Sequence, residues 1–263
     1  MCWRASCLDN GSFDLLSMTK PKTSPSPAKG TLPGARSVAA SQADIHQSIY
    51  DAIVEHRLLP GTKLSEERVA ELFAVSRTQV RGALQRLAVE QLVTLIPNRG
   101  AFVTTPSAEE AHDVLSVRRT LEPAAVERLI ERIAAGKAPT AVKQLRALVK
   151  REQQAHARGD RRQAVRLSGD FHVLLAEVSG SSILARLMRE LTPLTCLAIL
   201  TFEAPTAVAC PNDEHALLID AIEAGDAEGA SRMMIDHLNH IENALKLDAQ
   251  AVPEVDLADV LFG

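Results

Sequence analysis

Three short amphipathic stretches, followed at once by two brief β-like runs, occupy residues 43–106, and few folds accommodate that order in about 65 residues. Ile45, Ile49, Ala52, Ile53 and His56 are spaced to share one face of a first helix over 43–58. Pro60-Gly61 breaks that pattern. Ser65 is a plausible cap for a second helix, with Glu66 and Glu67 in its first turn and Val69, Leu72 and Phe73 on its apolar side. After a short turn at Ala74-Val75, Ser76 caps a third helix running to about residue 91, with Val80, Ala83, Leu84 and Leu87 facing inward. Runs at 93–96 and 101–104 flank Pro97-Asn98-Arg99-Gly100, which predicts a hairpin. Three helices and a hairpin wing make a winged helix-turn-helix over 41–106.

Beyond Pro106 the pattern changes to helix after helix as far as about Leu247. Ser107-Ala108-Glu109-Glu110 is a capping box. Breaks fall near 136–139, 159–160, 179–182, 204–212 and 225–226, and no strand signal intervenes. The expected fold is therefore mainly α: a winged helix-turn-helix followed, over 107–250, by an antiparallel all-α bundle of about six helices. Residues 1–40 are rich in Pro, Ser, Lys and Gly and read as a disordered tail; 251–263 read as a C-terminal tail.

Composition supports this division. Aromatic residues are only 3% of the chain and hydrophobic ones 46%, so Leu, Ala, Val and Ile must build a largely helical core. The net charge of −4 is unevenly spread. Residues 1–40 hold five basic and two acidic side chains, 41–106 seven of each, and 107–263 seventeen basic against twenty-four acidic. A DNA reader fits the neutral segment if its arginines share a face. Four scattered cysteines (Cys2, Cys7, Cys196, Cys210) form no C-x-x-C pair, which argues against a cysteine metal site. No apolar run is long enough to span a membrane and no signal-peptide core is evident, so a cytoplasmic protein without a membrane partner is expected.

In the third helix, Arg77, Thr78, Arg81 and Gln85 avoid the apolar face. Arg77 and Arg81 lie one turn apart and can enter a major groove together, where the planar guanidinium matches the O6 and N7 acceptors of guanine. Ser76 and Thr78 suit phosphate or base-edge hydrogen bonds, and Arg99 at the wing tip suits the DNA backbone or minor groove.

The motifs P-G-x-x-L-S-E at 60–66, V-S-R-T-x-V-R-x-A-L-x-R-L at 75–87 and N-R-G-A-x-V at 98–103 occur in order, and the segment 43–106 resembles the DNA-binding domain of GntR-type regulators. The resemblance implies DNA contacts from Arg68, Arg77 and Arg81, with Arg99 and Gly100 in the wing. Gln79 stands where Pro is common, Gly82 where an acidic residue is common, and Gln91 where Gly usually turns the chain.

The remainder carries Val117-Arg118-Arg119-Thr120-Leu121-Glu122-Pro123, Phe171-His172, Asp213-Glu214-His215, Ala221-Ile222-Glu223-Ala224-Gly225-Asp226 and His237-Leu238, in that order. Residues 109–247 thereby resemble the ligand-binding domain of the FadR subfamily, of FCD type. The resemblance implies that His172, His215 and His237 bind a divalent transition metal, zinc or nickel, and that metal and nearby basic residues hold a small organic acid. It also implies an Asp ligand four residues before the first histidine, where this chain has Ser168; Asp170 lies on another helix face. Arg118 is a candidate for gripping an effector carboxylate, and equally for an ion pair with Glu122 one turn on. Phe171 and Leu175 read as core, His240 as solvent-facing or as a support to the site, and the other histidines receive no role.

The expectation is a homodimeric regulator rather than an enzyme, usually a repressor in such a family, which binds a palindromic operator in double-stranded DNA and responds to a small carboxylate effector. The alternatives are a metal-responsive regulator and a three-histidine metallohydrolase.

Overall fold

A computed structural model describes residues 40–202 and 213–245. The two expected tails (Ala40 apart), the expected break at 204–212 and the last residues of the expected final helix lie outside the described residues.

The winged part contains α1 (Gln42–Val54), β1 (Lys63–Leu64), α2 (Glu66–Phe73), α3 (Arg77–Val89), β2 (Val93–Ile96) and β3 (Gly100–Val103). Side-chain caps start its helices. Ser41 and Asp44 form a capping box at α1, and Ser65 accepts from the Arg68 amide at α2. At α3, Ser76 accepts from the Gln79 amide while Gln79 Oε1 accepts from the Ser76 amide at 3.2 Å. The residue that replaces the common Pro thus closes a reciprocal cap of its own.

Helix ends differ from the sequence expectation by a few residues. α1 stops at Val54 rather than at 58, because His56 takes a left-handed conformation (φ 58°) and Pro60 follows closely. α3 stops at Val89, and Gln91 turns the chain with φ 60°, a conformation in which a side chain costs about 1–2 kcal/mol and which glycine adopts freely. β1 has only two residues, too short to announce itself by alternation, yet it completes an antiparallel sheet of order β1-β3-β2. Leu64 faces Ala101 across one edge, and Val93 faces Val103 across the other.

Six further helices are described: α4 (Ala108–Ala134), α5 (Ala141–Ala157), α6 (Arg161–Val178), α7 (Ser182–Phe202), α8 (Glu214–Ala224) and α9 (Ala227–Ala244). α4 packs along α9, and α6 lies between α5 and α7. Their common core includes Leu115, Leu129, Phe171, Leu175, Leu218, Met234 and Leu238. α4 runs through Pro123 and α7 through Pro193 without ending.

The winged core of Ile45, Ile49, Ile53, Val69, Val80, Leu84 and Leu87 also takes in Leu197 from α7. Beside it, Arg166 of α6 reaches Asp51 Oδ1 at 3.0 Å and Glu55 Oε1 at 2.6 Å on α1. No helix among the described residues is long and apolar enough to cross a membrane.

Candidate metal centre and nucleic-acid interface

His172 on α6, His215 at the start of α8 and His237 on α9 come from three helices and meet inside the bundle, each buried. One ring nitrogen from each lies within 4.8 Å of the other two. Phe171, next to His172 in sequence, stacks on the His215 ring at a centroid distance of 4.1 Å and closes one side.

Behind each ring stands a carboxylate. His172 Nδ1 lies 2.5 Å from Glu122 Oε2, His215 Nδ1 lies 2.9 Å from Glu152 Oε2, and His237 Nδ1 lies 2.7 Å from Glu214 Oε2. An acceptor at Nδ1 makes that nitrogen the N–H donor of a neutral imidazole and leaves the Nε2 lone pair facing inward. Burial drives His172 down to about 3 against the opposing pull of Glu122, and burial likewise lowers His237. Burial alone would raise Glu122, but Arg118 and His172 overcome it and hold the carboxyl at about 2. The His172 and His237 rings are therefore neutral, the form in which imidazole binds metal.

Two inward nitrogens, His172 Nε2 and His237 Nε2, stand 3.3 Å apart, and His215 Nε2 is buried with no hydrogen-bond partner among the described residues. Lone pairs at that separation repel unless a proton or a metal ion lies between them. Nitrogens bound at 2.0–2.1 Å to one tetrahedral ion are themselves about 3.3 Å apart. The donor set fits a divalent transition metal, and the carboxylates behind the rings supply the orienting shell such sites use.

Ser168 sits one turn before His172 and is partly buried, where a carboxylate was the family expectation. Arg118 satisfies one of its two expected roles and leaves room for the other. Its Nε donates to Glu122 Oε1 at 2.6 Å and its Nη1 to Thr195 Oγ1 at 3.0 Å, while Nη2 is buried without a partner among the described residues. His240 is exposed and shares Glu214 with His237. None of the supporting carboxylates is assigned that role from the sequence. Glu214 adjoins His215 and Glu122 lies in a quoted motif, but Glu152 carried no local signal.

At the other end of the chain, α3 and the wing border a groove of about 550 Å³, lined in part by Lys63, Glu66, Arg77, Arg81, Gln85, Asn98 and Gly100. Arg77 and Thr78 are exposed, as is Arg99 at the wing turn. Ser76 is exposed but its hydroxyl is engaged in the α3 cap. Arg81 is exposed and forms a two-point pair with Glu66. Arg68 pairs with Glu71 at 3.2 Å and is not among the residues lining the groove.

Residues 41–103 match the family described as Bacterial regulatory proteins, gntR family, and residues 113–240 match the FCD domain. The chain is 25% identical to the HTH-type transcriptional repressor RspR of Escherichia coli, over 77% of this chain and 89% of that protein. It is 28% identical to the HTH-type transcriptional regulator LutR of Bacillus subtilis, over 72% and 93%. Among solved structures, a putative transcriptional regulator GntR from a Rhodococcus species superposes with a TM-score of 0.68 at 25% identity, covering 77% of this chain and 95% of that one. E. coli McbR/YncC has the same fold, with a TM-score of 0.65 at 21% identity over 75% and 93%.

Proposed function

The chain belongs to the gntR family of DNA-binding transcriptional regulators and carries an FCD domain, and from that premise we propose that it is a repressor whose operator binding is set by a small carboxylate held at a metal in the helical bundle. The observation that carries the metal is the inward convergence of three buried imidazoles, with His215 Nε2 buried and without a partner among the described residues. A bound zinc or nickel ion would supply positive charge for one carboxylate oxygen. Arg118 Nη2, buried and without a partner among the described residues, supports a second contact to the same ligand. Glu122, Glu152 and Glu214 each serve a histidine, so none is left to act as the general base of a hydrolase.

Two helices link such a pocket to the DNA reader. α6 carries His172 and Arg166, and Arg166 binds α1. α7 carries Thr195, which faces Arg118, and Leu197, which enters the winged core. A ligand shifts operator affinity only by binding the DNA-competent and DNA-incompetent arrangements differently, and these two helices touch both the histidine pocket and the winged part. A homodimer on a palindromic operator fits the two-fold logic of such readers.

The test is the metal content of the purified full chain, with Ser168→Asp and His215→Ala beside it. About one ion per chain in the natural protein, lost in His215→Ala without unfolding, supports the assignment. Metal in Ser168→Asp alone would show that the natural site holds none. The neutral ligand set also favours a second reading, in which the metal itself is the signal; operator affinity that responds to zinc with no organic acid present would establish it.

A further inference from the structure

We propose that Glu66 is a positioning residue for operator discrimination, holding the Arg81 guanidinium so that only one end of its fork is offered to DNA; this rests on the DNA-reading role proposed for α3. Glu66 is the first residue of α2, and Arg81 lies on α3, fifteen residues away. Arg81 Nε donates to Glu66 Oε1 at 2.9 Å and Nη2 donates to Glu66 Oε2 at 2.8 Å. This two-point pairing occupies the Nε/Nη2 edge. The Nη1/Nη2 edge remains, on a side chain that is 61% exposed, whereas Glu66 is 25% exposed and sits beneath it.

A carboxylate in this place needs a reason. Both residues line the groove shared with Arg77, Lys63, Gln85 and Asn98. Non-specific affinity for DNA comes from cations that neutralise phosphates, and an anion among them weakens it. What the anion supplies is selectivity. An untethered Arg samples many rotamers and meets phosphate or base alike. An Arg clamped along one edge keeps a single direction, and its free edge has the two-donor geometry that guanine O6 and N7 accept. Penalising binding everywhere while aiming one reader is specificity by differential affinity. The pair forms within the free protein, so the ordering cost is met before DNA arrives.

The experiment is selection from a randomised duplex library with the full chain, followed by operator and non-specific affinities for Glu66→Gln, Glu66→Ala, Arg81→Gln and the double variant Glu66→Gln/Arg81→Gln. Both Glu66 variants should keep the melting temperature and bind non-specific DNA at least as well as the natural chain. Their operator-to-non-specific ratio should fall by about tenfold, with preference lost at one base position per half-site. In the Arg81→Gln background the Glu66 change should add nothing. An unchanged ratio and motif in both Glu66 variants would overturn the proposal. So would a further loss in the double variant, because Glu66 would then be contacting DNA itself. If the natural chain enriches no sequence, the DNA-reading premise fails and the proposal falls with it; that result differs from an operator that Glu66 variants read normally.

Discussion

His56 shows how one residue can carry a stability cost unrelated to the site. It lies just past α1 in a left-handed conformation, and its Nε2 is buried without a partner among the described residues. Burial first, and then the nearby Arg161 cation, lower its pKa from 6.5 to about 4. The unfolded chain therefore binds more protons than the folded one between these values. The stability contribution is whole above pH 6.5 and is lost as pH falls from 6.5 towards 4. His56→Asn keeps a residue tolerant of positive φ and removes the titration. Urea denaturation at pH 7.5 and 5 should show the natural chain losing on the order of 1–2 kcal/mol more than the variant. Equal losses would mean that His56 stays hydrated or finds a partner. His172 and His237 are depressed in the same direction, so both proteins should still weaken in acid.

At the scale of elements, α7 does two jobs that its sequence barely separates. Its apolar positions serve the bundle through Ala198 and Phe202 and the winged core through Leu197. Leu197 is only 1% exposed, so Leu197→Ala removes packing that cannot be replaced by water and should cost about 2–5 kcal/mol. Calorimetry would check this, with loss of cooperativity between the winged part and the bundle as the informative sign. A cost below about 1 kcal/mol would place Leu197 in a region that relaxes around the gap. α3 offers a contrasting case. Its Gly82 sits where an acidic residue is common, and a Cβ there would come within 2.7 Å of the Gln42 side chain of α1. That contact is with the mobile end of an exposed side chain, so it does not require glycine, and nothing in the structure explains the residue, which costs about 1 kcal/mol of helix propensity relative to Ala.

For the whole molecule, the ionic contact of Arg166 with Asp51 and Glu55 complements the apolar one through Leu197. The pair is partly exposed, so its stabilising effect is about 1 kcal/mol or less. Arg166→Ala should leave the bundle folded and raise amide hydrogen exchange in α1 by up to about fivefold, with α4 and α9 unchanged. Uniform exchange changes across the chain would mean that Arg166 supports the fold generally. Much of the architecture was determined by the sequence itself, because caps, breaks and apolar periodicity are interactions within one or two helical turns. Ser41, Ser76 and Ser107 start their helices, Gly225 ends α8, and the Arg77 side of α3 faces outward as its periodicity required. The His172, His215 and His237 set was legible only through resemblance. What tertiary structure alone decided is which distant groups meet: Glu152 behind His215 across 63 residues, Glu122 behind His172 across 50, Glu66 against Arg81, and α6 against α1. Spacing along a chain specifies neighbours on one helix face, whereas convergence of separate helices is set by how their apolar faces pack, and no local pattern encodes that.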